Sequence, residues 1–362
     1  IPGNWFWYDT AMSPVTFRVL QFLLALTMGV STVVVTGLTL AAAEVATRNA
    51  FPWQLDWWKL WRYRGTNEVA SRVGAGYAVA AIAFAYVAAF YLVTGKLLGW
   101  WVPAEVLDDP NQIATPLPWV TGLAASLQAG VWEEAMFRAL PLSLLSLWVG
   151  DRPRRSVWMG AGVVLTALIF GFGHAEYPSW PAYSRGVEIF LEACLWGVLF
   201  LRFGILMTVL AHFFFDLSLF GLFAVAGTSL PYLVSGAITG LVMFAPALAV
   251  LAARIRQGTL LPASADALGG AWSPPPAEPV AEAFEPRVAR GLSERARALA
   301  FAIAAVGAVA VVAVPSGTVL GPKFTAGKTV ALRVADSMVK VRGVDPAQWR
   351  RLTLVGNDTV SS

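Results

Sequence analysis

Apolar positions in this sequence gather into eight long runs, near residues 19–43, 73–95, 118–149, 156–174, 186–204, 205–227, 229–253 and 298–315. Most are close to the roughly 17–25 residues that carry a helix across a bilayer. The pattern therefore predicts an all-α polytopic membrane protein of about eight transmembrane helices. The run at 118–149 is too long for a simple span, since a helix of that length covers about 48 Å. It has to tilt, protrude or break, and Pro141 is a natural kink point. Only "RFG" at Arg202–Gly204 separates the fifth and sixth runs, which predicts a tight connection.

The intervening segments divide the chain. Residues 1–117 hold two runs and the stretch "FPWQLDWWKLWRYR" (Phe51–Arg64), whose tryptophans predict an interfacial helix with an aromatic belt. Residues 118–253 form a helical core. Residues 254–297, centred on "SPPPAEPVAEAFEP", read as a flexible, proline-rich linker to a last span at 298–315. The tail, 316–362, has a helical rhythm at Val330, Val334, Met338 and Val341, closed by Gly343, and then the strand-like alternation "WRRLTLVGND". It predicts a small, truncated α/β appendage. Ile1 in place of a methionine and the abrupt ending "NDTVSS" suggest a fragment of a longer chain, with no cleavable signal peptide.

Composition supports the membrane reading. The chain is 57% hydrophobic and 13% charged, with mean hydropathy +0.63, whereas soluble domains carry roughly 25% charged residues. The net charge of +4 is small and its basic residues lie in loops. That points to orientation in a bilayer, and not to nucleic-acid binding. Arg48, Lys59, Arg62, Arg64 and Arg72 fall in one loop, "GDRPRR" forms another, and Arg254 and Arg256 follow the seventh run. By the positive-inside rule these loops are cytoplasmic and both ends of the chain lie outside. A multi-pass integral membrane location is expected. Cys194 is the single cysteine and predicts no intramolecular disulfide.

The third run then poses a problem. "VWEEAMFRAL" (Val131–Leu140) puts Glu133, Glu134 and Arg138 where lipid penalises charge. At roughly 2.5–3.5 kcal/mol each, an isolated helix would carry a penalty of about 8–10 kcal/mol. Glu134 and Arg138 are i,i+4 and can pair on one face. Glu133 is offset from Arg138 by about 140° around the axis, which leaves it available. The two histidines of the chain also fall in apolar runs: His174 ends "FGFGH", one turn after Phe170, and His212 opens "HFFFD", one turn before Asp216. Together they predict a shared polar site. Glu188 and Glu192, also i,i+4, lie on the fifth run, with Glu192 expected on the cavity and Glu188 toward the interface. A cavity wall, an arginine partner and a chemical role all remain open for them.

On straight spans Glu133 falls at mid-bilayer, His174 near the outer end and His212 closer to the inner end. Convergence then requires the fourth helix to run on into "AEYPSWPAY", or other boundaries to shift.

"EEAMFR", Phe170 to His174 and "HFFFD" fit EExxxR, FxxxH and HxxxN/D, in order on successive apolar helices. Over about 118–227 the chain thus resembles the CAAX protease and bacteriocin-processing (CPBP, or Abi) family, which includes the prenyl-protein endopeptidases. The resemblance implies an intramembrane glutamate protease acting on a membrane-associated protein or peptide, with membrane lipid as its surroundings. It implies Glu133 as general base, His174 helping to orient or deprotonate water, and His212 with residue 216 stabilising the oxyanion. Glu134 and Arg138 would support them, with Phe170 beside His174. No cofactor is implied; a zinc or manganese site built from Glu133, His174, His212 and Asp216 is the alternative.

Two departures stand out. Ala139 follows Arg138 where glycine is frequent, and Asp216 stands where the prenyl-protein proteases carry asparagine. An ionised aspartate cannot donate to an oxyanion. It could act protonated, orient His212, or ligate a metal. A non-catalytic membrane interaction or bacteriocin-immunity protein on the same fold is the second reading. A proton-relay transporter is the third, and no internal repeat supports it.

Overall fold

A computed structural model describes residues 8–9, 11–101, 117–175, 179–226, 230–270, 293–313 and 328–348. The described residues are predominantly helical and form no sheet, only isolated bridges. Ten helices are used below: α1 Pro14–Ala50, α2 Asn67–Leu98, α3 Pro118–Leu127, α4 Leu140–Val149, α5 Arg155–Gly173, α6 Ser184–Phe203, α7 Ile205–Ala226, α8 Leu230–Gln257, α9 Glu294–Ala313 and α10 Lys328–Val341. Among the described residues α1, α2, α5 and α8 are long and apolar enough to cross a membrane. The remaining predicted runs also fall on helix, but α6 carries Arg185, Glu188, Glu192 and Arg202, and the run at 118–149 is interrupted.

That interruption is the main departure from a simple span. Between α3 and α4 the chain stays helical but widens into two π-helical stretches, Gln128–Glu133 and Ala135–Ala139. Pro141 does not break it; it falls in the first turn of α4, directly after the second π stretch, and the helix continues through it. The extra residue per π turn rotates the side chains that follow, and such bulges gather at functional sites.

Helix α7 is the axis of the core. Met207, Leu210, Ala211, Phe214 and Leu217 are all buried, because α2, α3, α6 and α8 pack around it. A helix apolar on every side is stable only when covered in this way or by lipid. By contrast α1 packs mainly on α4 and the second π stretch, and leaves residues such as Phe22, Leu24, Val33 and Leu38 exposed. So extended an apolar surface suits hydrocarbon and not water.

The predicted tight connection between α6 and α7 is a single residue, Gly204, at φ +88°, where a side chain would be strained. Buried Gln54 caps the corner: its Oε1 accepts from Ile205 N (3.1 Å) and its Nε2 donates to Phe200 O (3.5 Å).

The Trp-rich stretch is not an interfacial α-helix. It is a series of turns with one 3-10 turn, Trp57–Lys59. Residues 258–270 lie against it, with Asp56 N donating to Ala267 O (3.0 Å) and Gly269 N to Gln54 O (2.8 Å). The polar loop backbone thus finds partners in a second loop instead of within a helix. The proline-rich centre of the predicted linker and the predicted strand after Gln348 lie outside the described residues. In the tail, α10 matches the predicted helical rhythm, and Gly343 follows its last residue by two positions at φ +78°.

Candidate active site

Close backbone contacts bring the site's elements together. A Cβ on Gly130 would stand 2.8 Å from Phe213 Cβ and 3.0 Å from Phe213 N and Cα, so the first π stretch lies directly on α7. A Cβ on Gly171 would stand 2.7 Å from Phe190 N and 2.8 Å from Gly186 O, so the end of α5 is equally close to α6. Small residues at such crossings let membrane helices approach closely. On the far side, Trp101 and Trp180 exchange backbone hydrogen bonds of 2.8 and 2.7 Å, fixing the approach to α6.

A cavity of about 270 Å³ opens between these helices. Glu133, Arg138, Phe170, His174, Glu188, Glu192, His212 and Asp216 all line it. The structure therefore brings the sequence-selected polar residues to one place, with Glu134 fully buried behind them. Its Oε1 lies 3.2 Å from Arg138 Nη1 and 2.9 Å from His212 Nδ1. The Glu134–Arg138 pair expected from i,i+4 spacing is present, and it also reaches the histidine. The guanidinium of Arg138 lies over the Phe170 ring, 4.0 Å from its centroid, a cation–π contact in a desolvated setting.

His212 is oriented by these neighbours. A carboxylate only accepts, so Nδ1 carries the proton in the bond to Glu134. Nε2 then faces the cavity, 3.9 Å from Glu133 Oε2 and 3.7 Å from Asp216 Oδ2. Both separations exceed a direct hydrogen bond and suit an intervening atom. Glu133, His212 and Asp216 each keep 11–16% of their side-chain surface exposed, which is access without bulk solvation.

His174 caps the end of α5, and its Nδ1 donates to Phe170 O (2.7 Å). In the neutral ring Nε2 is then the acceptor. Helix α5 ends at Gly173 and does not run on past His174. Both histidines nonetheless line the same cavity. Phe170 lies 4.6 Å from the His174 ring and 6.2 Å from the His212 ring, so aromatic contacts step down the cavity wall. His212 is the eighth residue of α7, and Trp196 lies eight before Gly204; the two meet across the hairpin with ring centroids 5.0 Å apart.

Glu188 does not reach the interface. It is buried, and its Oε2 accepts from Arg185 Nη1 (2.7 Å) and Tyr91 OH (3.1 Å). Sequence reasoning missed the cavity-wall residues Arg185 and Trp196, and Tyr91, which stands behind the wall against Glu188. The i,i+3 spacing of Arg185 and Glu188 was a signal for the first; nothing local marks Tyr91, which comes from α2. Among the described residues no group of three or more His, Cys, Asp or Glu side chains is placed to hold a metal ion.

Residues 115–218 match the family described as Rce1-like, type II CAAX prenyl endopeptidase. The sporulation-killing factor biosynthesis protein SkfC of Bacillus subtilis (strain 168) is 28% identical over 102 residues, which is 27% of this chain and 18% of that protein. No solved structure matches. The matched segment contains all three polar motifs that meet at the cavity. Over residues 115–218 this chain is thus similar to the Rce1-like, type II CAAX prenyl endopeptidase family.

Proposed function

We propose that this protein is a multi-pass intramembrane endopeptidase, resident in a bacterial plasma membrane, that hydrolyses a peptide bond in a membrane-associated protein or peptide. The observation that carries this reading is one cavity lined by Glu133, His174, His212 and Asp216, with His212 held by a buried carboxylate behind it.

Glu133 is the general base. It takes a proton from a water in the gap between its carboxylate and His212, while His174 Nε2 helps to orient that water. The water oxygen attacks the carbonyl carbon, and the carbonyl π electrons move to oxygen as the tetrahedral intermediate forms. His212 Nε2, when the ring carries both protons, donates to that oxyanion, and Asp216 assists it. A preorganised donor in a water-poor cavity is worth far more than one in solvent. As the C–N bond breaks, the proton held by Glu133 passes to the leaving amine. Glu134, Arg138 and Phe170 hold the reacting groups in register.

The reaction runs on side chains and water. Cleavage is expected to persist after prolonged chelation; loss on chelation with recovery on adding zinc or manganese would favour the metal alternative instead.

The deciding experiment compares peptide termini in membrane fractions from cells expressing the wild type or Glu133→Gln at equal folded levels. New termini that depend on Glu133 establish proteolysis and identify the substrate. Unchanged termini would favour a non-catalytic interaction or immunity role, for which Asp216 in place of asparagine is the supporting observation.

A further inference from the structure

Helix α6 carries two residues that belong to none of the three motifs, Trp196 and Glu192, and the first of them ends against His212. Trp196 is buried, and its indole lies against the His212 imidazole, with centroids 5.0 Å apart and planes inclined by 50°. Phe170 meets His212 edge-on at 6.2 Å and 84°. The imidazole is thus held between two aromatic rings and tied at Nδ1 to Glu134. These contacts together determine where Nε2 points.

An indole has one polar atom, a donor, and a buried donor requires an acceptor. Glu192, one turn before Trp196 on the same helix face, supplies it: Trp196 Nε1 donates to Glu192 Oε1 (3.1 Å). That bond fixes the rotation of the indole about its own stem, and so the surface it presents to His212. We propose that Glu192 is a positioning residue for the peptidase reaction, acting through Trp196 to set the orientation of the His212 imidazole. The inference rests on the reading of His212 as an oxyanion donor, although its geometric half stands apart from that reading.

The distinguishing property is that Glu192 acts as a hydrogen-bond acceptor and not as a charge or a proton carrier. Glutamine keeps an acceptor oxygen at the same reach, and alanine does not. Phenylalanine at 196 keeps an aromatic face without the donor. The chain holds only two histidines, so the full-length protein labelled with 15N-histidine gives two sets of ring signals, assigned with His174→Gln and His212→Gln.

The expected result is that Glu192→Ala and Trp196→Phe each shift the His212 signals and leave those of His174 in place. Glu192→Gln should restore the wild-type His212 signals, and the double variant Glu192→Ala/Trp196→Phe should shift them no further than either single change. In the cleavage assay Glu192→Ala should lose up to roughly a hundredfold, the scale of a small misplacement of a reacting group, with glutamine rescuing most of it.

His212 signals unmoved by Glu192→Ala would overturn the proposal. So would Glu192→Gln behaving like Glu192→Ala in both readouts, because charge would then be what matters. Equal movement of both histidines would also overturn it, as the mark of a general packing defect. If Glu133→Gln leaves every peptide terminus unchanged, the peptidase reading fails while the ring signals still decide whether Glu192 orients His212.

Discussion

Glu134 Oε1 is shared by two partners, lying 3.2 Å from Arg138 Nη1 and 2.9 Å from His212 Nδ1. A single buried oxygen therefore links the π-helical stretch that carries Glu133 to the helix that carries His212 and Asp216. The two adjacent glutamates consequently have opposite environments: Glu134 is sealed behind the cavity wall, and Glu133 faces the cavity.

Removing either member of a buried ion pair leaves an uncompensated charge, which typically costs about 3–5 kcal/mol. Arg138→Leu and Glu134→Leu are each expected to destabilise by that order. The double change to leucines should recover much of the loss, since the unpaired charge is gone. Thermal unfolding of the purified protein in detergent, followed by helical circular dichroism, measures this. Single-variant losses below about 1 kcal/mol would show that the pair is not holding the bundle.

Glu133→Gln should behave in the opposite way. Glutamine matches glutamate in size, and Glu133 lines the cavity without belonging to the buried Glu134–Arg138 pair, so folding should change by about 1 kcal/mol or less. Cleavage should fall by roughly 100- to 10,000-fold, the usual contribution of a general base. Glu134→Gln should lower stability first and activity through it. Measuring both properties on both variants separates base from support; a Glu133→Gln protein that unfolds early would merge the two roles.

The spacing of a few residues carried much of this site. Glu134 and Arg138, His212 and Asp216, and Phe170 and His174 are i,i+4 pairs, and one helical turn is enough to place each pair on one face. Convergence was harder to read, because straight spans put His174 and His212 at different depths. In the fold Phe170 touches both histidine rings, and the π-helical stretch places Gly130 on Phe213. Neither follows from hydropathy. Glu188 illustrates the same limit: its partner Arg185 is local, but Tyr91 is 97 positions away and only packing brings it in. The Trp-rich loop misled for a related reason. Its aromatic residues suit an interface, but residues 258–270, distant in sequence, supply the backbone partners that a helix would otherwise have needed.

Asp216 offers a direct test of chemistry at one atom. If position 216 serves by donating to an oxyanion, Asp216→Asn supplies a permanent amide donor and should sustain or increase cleavage. Asp216→Leu should lose roughly 100- to 1,000-fold, as when one oxyanion donor is removed. If the carboxylate instead acts on His212 Nε2, 3.7 Å away, the asparagine variant should fall almost as far as the leucine. Initial rates of product-terminus formation at matched protein levels distinguish the two cases.

The glycine contacts predict where added bulk is not tolerated. At Gly130 and Gly171 a new Cβ would meet backbone atoms at 2.7–3.0 Å, and backbone cannot turn aside as a side-chain tip can. Alanine at either site must push two helices apart, an overpacking penalty of about 1–3 kcal/mol. The consequences should differ. Gly130 lies three residues before Glu133 and directly on Phe213, the neighbour of His212, so Gly130→Ala should displace the His212 ring signals and reduce cleavage together with stability. Gly171 sits beside α6 two residues before the end of α5, so Gly171→Ala should move the His174 signals instead. A methyl group added at Gly160 would meet nothing within 4 Å, and Gly160→Ala should be neutral or stabilise by up to about 1 kcal/mol through helix propensity. Thermal midpoints and histidine spectra of the three variants, recorded side by side, check all of this. If Gly130→Ala matched Gly160→Ala in both measurements, the close packing of the π stretch on α7 would not be what aligns Glu134 with His212.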